Sequence, residues 1–140
     1  MASFVKKILV PLDGSKKSLK AYDQAINLAK LTNADVTIFN VITHVAHGGV
    51  RTKEFDKQTL LQGKSVVHNA DKIAKKKGIS IKTKILRGWP GIETVNFAKK
   101  GKFDHIVMST TGTGGSKNEM FGSVSNYVAH KAKIPIYLVK

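Results

Sequence analysis

The chain has 140 residues, 41% of them apolar and 24% charged, a composition that suits one folding unit in water with one core. It has no cysteine, which excludes disulfides and thiolate metal sites, and no run of about 18 uncharged apolar residues that would span a membrane. The net charge of +15, from 24 Lys+Arg against 9 Asp+Glu, favours anionic partners of every kind.

The opening Met1-Ala2-Ser3-Phe4-Val5-Lys6-Lys7 leads straight into a strand-like run without a signal-peptide core, so the expected location is cytoplasmic. Lys7-Ile8-Leu9-Val10-Pro11-Leu12 is a short, continuously apolar segment, as expected of a strand covered on both faces. Asp13-Gly14-Ser15 is a turn, with Ser15 or Ser18 as the cap of the next helix. From about Ser18 to Leu31, Leu19, Tyr22, Ile26 and Ala29 recur at spacings of three and four and mark one helical face. Val36 to Ile42 is a second strand, rich in β-branched residues.

A loop from Thr43 to about Lys53 carries His44 and His47. A long helix follows, roughly Phe55 to Lys77, with Gly78 as its C-terminal cap. Ile79 to Ile85 alternates apolar and polar residues, as a strand at a sheet edge does. Gly88-Trp89-Pro90-Gly91 reads as a turn, Ile92 to Lys100 as a short helix, and His105 to Ser109 as a fourth strand. Beyond it lies Ser109-Thr110-Thr111-Gly112-Thr113-Gly114-Gly115-Ser116, then a helix from Ser123 to about Lys131 and a last strand from Ile134 to Val139. Strict β-α alternation implies a parallel sheet with helices on both faces, and residues 1–140 read as one domain.

In such a sheet, ligands bind past the carboxyl ends of the strands. The run after the fourth strand holds only small residues, which let backbone N–H groups approach an anion. Gly122-Ser123 then opens a helix whose N-terminus favours negative charge. Competing motifs are absent: no G-x-G-x-x-G follows the first strand, and there is no Walker A sequence, no G-x-S-x-G elbow and no His-Glu-x-x-His. His44 and His47 lack an evident third metal ligand, and His68, His105 and His130 read as structural.

Taken together, these residues resemble the ATP-binding type of the universal stress protein family, over nearly the whole chain. The resemblance is carried by Ile8-Leu9-Val10-Pro11-Leu12-Asp13-Gly14-Ser15, by Gly88-Trp89-Pro90, and by Gly122-Ser123-Val124-Ser125 with Ile134-Pro135-Ile136-Tyr137-Leu138-Val139. The family's nucleotide motif is Gly, two residues, Gly, nine residues, Gly, then Ser or Thr. Gly115 stands only six residues from Gly122, whereas Gly112 stands nine, so Gly112 takes the second glycine position and Ser109 replaces the first. The resemblance implies a three-layer α/β/α, Rossmann-like fold of the adenine nucleotide α-hydrolase-like kind, with strand order 3-2-1-4-5.

It further implies that Pro11, Leu12 and Asp13 lie by the adenosine and that the Val41 backbone reads the adenine edge. Met108 and Ser109 line the ribose and phosphate side. Gly112, Gly122, Ser123 and Val124 hold the phosphates of ATP, and Asp13 helps organise a bound Mg2+. Members of the family usually dimerise through the last strand, here Ile136, Tyr137, Leu138 and Val139. The expectation is a nucleotide-dependent switch or sensor, homodimeric, with at most slow ATP hydrolysis and no catalytic residue. Two alternatives stand beside it: a dimeric scaffold that binds no nucleotide, and a protein that binds nucleic acid or acidic partners through Lys72, Lys75, Lys76, Lys77, Lys99, Lys100 and Lys102.

Overall fold

A computed structural model describes residues 4–43, 51–111 and 122–140. Along the chain run β1 (Lys7–Pro11), α1 (Lys16–Thr32), β2 (Asp35–Ile42), α2 (Lys53–Lys76), β3 (Ile81–Arg87), α3 (Pro90–Lys100), β4 (His105–Ser109), α4 (Ser123–Lys131) and β5 (Ile136–Val139). The strands form one parallel sheet in the order β3-β2-β1-β4-β5. The expected strand order and the placement of β3 at an edge both hold.

Alternation along the strands divides the core in two. Ile8, Val10, Val36, Ile38, Val107 and Val139 pack against Ala21, Tyr22, Ala25 and Ile26 of α1 and Ala70 of α2. Leu9, Phe39, Ile106 and Met108 face the other way, against Ala98 of α3, Phe103 and Val128 of α4. The central strands are therefore apolar on both faces, which is why their sequences read as continuous runs rather than alternating ones. On the first face Tyr22 is fully buried and donates its hydroxyl to the Ala70 carbonyl at 2.7 Å. That burial, with Asp71 nearby, raises the phenol well above its ordinary pKa. Lys77 pairs with Asp23 across the same two helices.

Several boundaries differ from expectation for identifiable reasons. Ser15, not Ser18, is the cap of α1: its Oγ accepts the Ser18 N–H at 3.1 Å, so the helix begins at Lys16. Thr52 caps α2 in the same way, through the Phe55 N–H. α3 starts at Pro90 rather than Ile92, because proline suits the first helical position, where its missing N–H costs nothing. β3 begins at Ile81 rather than Ile79, since the Ile79 N–H closes α2 by bonding to Ala74 O at 3.0 Å around the left-handed Gly78. β5 begins at Ile136, two residues later than the apolar pattern suggests.

The lysines of the last turns, Lys75 and Lys76 of α2 and Lys99 and Lys100 of α3, complement the helix dipoles. Each of these helices runs into the N-terminal end of the next strand, so this basic group lies at the end of the sheet remote from the strands' carboxyl ends.

The two central strands are pinned together at that same end by Asp104. Its carboxylate accepts the backbone N–H groups of Lys6 (3.1 Å) and Lys7 (3.0 Å) and contacts His105 Nδ1 at 2.9 Å. Partial burial acts to raise its pKa, but the His105 and backbone hydrogen bonds outweigh that and hold the carboxyl below the usual carboxylate range. A depressed folded-state pKa stabilises the fold above the unfolded value of about 3.9, and that stability is lost as pH falls through the folded value. Asp104→Asn is expected to cost about 1 kcal/mol at neutral pH. Urea denaturation as a function of pH checks it: the variant should lose less stability than the parent between about pH 5 and pH 3.

Candidate functional site

The site begins where the central strands part. The β1–β4 register pairs Ile8 with His105 and Leu9 with Ile106, yet β1 continues to Pro11 and β4 to Ser109. Beyond that point each strand bonds only to its outer neighbour. β1 stays paired with β2 as far as Pro11↔Phe39, and β4 with β5 as far as Ser109↔Val139. The reason is topological. The connection from β1 leads to β2 on one side and the connection from β4 leads to β5 on the other, so the two chains diverge as they leave the sheet.

The divergent ends are fixed by hydrogen bonds on both lips. On the β1 lip, Leu12 N–H donates to Phe39 O at 2.8 Å, and the buried Asn40 side chain donates from Nδ2 to Leu12 O, also at 2.8 Å. Asp13 Oδ1 then accepts the Ser15 N–H at 2.9 Å and turns the chain into α1. Gly14 has φ of +86°, and a Cβ there would meet Val66 at 3.1 Å, so glycine suits this turn twice over. On the β4 lip, Thr110 N–H donates to Val139 O at 3.0 Å, and Gly122 N–H donates to Thr110 O at 2.6 Å. Ser125, almost fully buried, adds its hydroxyl to the same Thr110 carbonyl at 2.5 Å. The start of α4 is thereby tied to the end of β4.

Between the lips lies a cleft of about 760 Å3, within the range of small-molecule sites. Pro11, Leu12 and Asp13 form one wall and Met108, Ser109, Thr110 and Thr111 the other; Val41 and its neighbours in β2 lie at the side, and Gly122, Ser123 and Val124 open α4 onto it. Nine of the ten residues singled out in the sequence thus surround one cavity. The tenth, Gly112, lies outside the described residues, as do His44, His47 and the rest of the glycine-rich run.

Three features go beyond the sequence reading. First, the Ser109 hydroxyl is engaged within the chain, donating to Thr111 O at 2.7 Å. Second, the Gly122 N–H is already committed to Thr110, so the donors that the first turn of α4 turns outward begin with Ser123 and Val124; no side chain caps that helix among the described residues. Third, α2 supplies a wall of Thr59, Gln62, Gly63 and Val66. Gly63 lets α2 close on β2, since a Cβ there would stand 2.9 Å from Asn40 Oδ1 and 3.3 Å from Ile42 Cδ1.

Asn40, Gln62, Gly63 and Ser125 were not among the expected site residues. Asn40 carried a signal, an amide inside a β-branched strand. Ser125 carried a weaker one, a hydroxyl on the inward face of α4.

Asp13 is the sole ionisable side chain among the described residues that line the cleft. No group of three or more His, Cys, Asp or Glu that could hold a metal occurs among the described residues. Apart from the Asp13 carboxylate, the described part of the lining is therefore hydroxyl, amide and backbone groups on apolar walls, suited to a neutral heterocycle at one end and hydrogen-bond acceptors at the other. No helix among the described residues is long and apolar enough to cross a membrane.

Comparison with known proteins agrees with this geometry. The family model described as "Universal stress protein family" matches residues 5–140. A universal stress protein of Methanocaldococcus jannaschii is 37% identical over 139 residues, covering 96% of this chain and 82% of the relative. The Bacillus subtilis universal stress protein YxiE is 32% identical over 145 residues, covering 96% of this chain and 98% of the relative. Among solved structures, a universal stress protein in complex with cAMP superposes with a TM-score of 0.77 at 25% identity, covering 99% of each chain.

Proposed function

The chain belongs to the universal stress protein family, and we propose that it is an ATP-binding member that acts as a nucleotide-dependent switch or sensor rather than as an efficient enzyme. The observation that carries this reading is the meeting of three elements at one cleft: the end of β1 with Asp13, the small residues leaving β4, and the first turn of α4. A solved relative of similar fold holds cAMP, which supports an adenine nucleotide as the ligand class.

In this reading the adenosine lies between Pro11-Leu12-Asp13 and Val41, on apolar walls, with the Val41 backbone at the adenine edge. Met108 and Ser109 border the ribose. The phosphates lie against Ser123 and Val124, where a helix N-terminus is worth about 0.3–1 kcal/mol to an anion. Gly112, expected to hold phosphate as well, lies outside the described residues. Gly122 contributes by having no side chain, because its N–H is occupied by Thr110.

A lone carboxylate such as Asp13 suits Mg2+, which is commonly held by one or two carboxylates together with substrate phosphates rather than by an all-protein cage. The ion would screen the phosphate charge against Asp13. The described lining offers no histidine, lysine or second carboxylate to take a proton from water, so binding rather than turnover is the natural output of the site.

The same reading makes the protein a homodimer through β5. The sheet has two edges. β3 presents Lys82 and Lys84, exposed cations of the kind that discourage edge pairing, whereas β5 is uncharged along Ile136-Tyr137-Leu138-Val139, with Tyr137 half exposed. The lysines of the α2 and α3 ends lie away from the cleft and complement helix dipoles, so they are not needed to explain the site.

Two measurements test these statements. Isothermal titration with Mg-ATP should give saturable binding to the parent protein, weakened at least about tenfold, or roughly 1.4 kcal/mol, in Gly122→Val, which puts an isopropyl group at the phosphate end. Equal affinities would remove the phosphates from this cleft. Tyr137→Lys should shift the protein from dimer to monomer in sedimentation equilibrium; an unchanged mass would remove β5 as the interface.

A further inference from the structure

The described lining of the cleft carries no positive charge, and a residue outside that lining supplies one. ATP carries three to four negative charges at neutral pH, yet the described residues that line the cleft offer one carboxylate, Asp13, and no cation. One ammonium group does reach that lining. Lys17, in the first turn of α1, donates from Nζ to Oγ1 of the cleft-lining Thr111 at 2.7 Å, linking residues 94 apart in sequence. Thr111 is buried and is the last described residue leaving β4, directly on the side where the phosphates are placed.

We infer that Lys17 is the phosphate-charge-reading residue of this site, and that it sets a preference for adenosine di- and triphosphate over adenosine monophosphate and adenosine. This inference rests on the nucleotide reading of the cleft. Its physical basis is a difference in partners. Without ligand, the ammonium is held by a neutral hydroxyl, and no salt bridge to Lys17 occurs among the described residues. A β- or γ-phosphate oxygen offers the same donor a charge-assisted bond, roughly twice as strong as the neutral one.

Exchange of Thr111 for phosphate needs only rotation about the lysine stem, with its four carbons and free rotamers. The adenosine end of the ligand, by contrast, gains nothing from it. Lysine fits this task better than a rigid guanidinium, because the position of a terminal phosphate varies between di- and triphosphate and a point charge on a flexible arm follows it. Lys17 also stands four residues from Asp13, at the start of the same α1 that begins just past the β1 lip. The cation and the carboxylate thus both belong to the segment joining β1 to α1, where the carboxylate would act through a bound Mg2+ and the ammonium on phosphate directly.

The test is a comparison of Lys17→Met and Lys17→Arg with the parent protein, titrated calorimetrically with Mg-ATP, Mg-ADP, AMP and adenosine at two salt concentrations. Lys17→Met keeps the stem and removes the charge. It is expected to weaken ATP and ADP about tenfold, the scale of one charge-assisted bond, and to leave adenosine within about twofold. Lys17→Arg should recover most of the loss. The gap between parent and Lys17→Met for ATP should narrow as salt rises, because the lost interaction is electrostatic and near the surface. If Lys17→Met weakens all four ligands equally, or none, Lys17 does not read phosphate charge and the inference fails while the nucleotide site stands. If the parent protein binds none of the four, the nucleotide reading itself fails and the inference falls with it.

Discussion

The structure depends on a single constraint: the two central strands cannot stay paired to their ends. Each must hand its chain to a neighbour on the opposite side, so the β1–β4 ladder stops at Leu9↔Ile106. The backbone groups beyond that point still need partners, since a buried unpaired amide or carbonyl costs about 1–3 kcal/mol. The chain supplies them laterally. Phe39 O and the Asn40 amide serve Leu12, while Val139 O, Gly122 N–H and the Ser125 hydroxyl serve Thr110. A gap in the sheet thus becomes a cleft with rigid lips, and no buried side-chain polar atom among the described residues is left without a partner. The opposite end of the same strand pair is closed by Asp104, so the split is confined to one side.

Much of this was legible in the sequence, and for reasons of short range. The β1 run, the Asp13-Gly14-Ser15 turn, the periodic faces of α1 and α2, and the Gly122-Ser123 helix start are local signals, each written in a few consecutive residues. The positions where expectation slipped are those where one residue serves two neighbours. Ile79 looks like strand but is spent closing α2, and Pro90 looks like turn but begins α3. The site residues that escaped notice are of a different kind. Asn40 acts on Leu12, 28 residues earlier, and Ser125 acts on Thr110, 15 residues earlier. Gly63 matters because of what stands opposite it in β2. Such roles are set by the sheet order and not by sequence neighbours, so a one-dimensional pattern holds little trace of them.

Charge and site turn out to be separate matters. The net charge of +15 invites an electrostatic explanation of function. Yet the lysines that stand out in the sequence sit at the C-terminal ends of α2 and α3, at the far end of the sheet from the cleft, where they complement helix dipoles. The described lining itself is nearly neutral. Its polar groups are backbone, hydroxyl and amide groups and the Asp13 carboxylate, set on apolar walls, and Lys17 of α1 bonds to Thr111 at its edge.

The central claim is that the gap between β1 and β4 holds an adenine nucleotide. The most direct test is a titration of the 15N-labelled protein with Mg-ATP, followed by amide chemical shifts. The account predicts that the largest shifts fall on Leu12, Asp13, Val41, Ser109, Thr110, Ser123 and Val124, with the ends of α2 and α3 around Lys76 and Lys100 unmoved. Shifts concentrated on those lysine-bearing helix ends, or no saturable shifts at all, would contradict it.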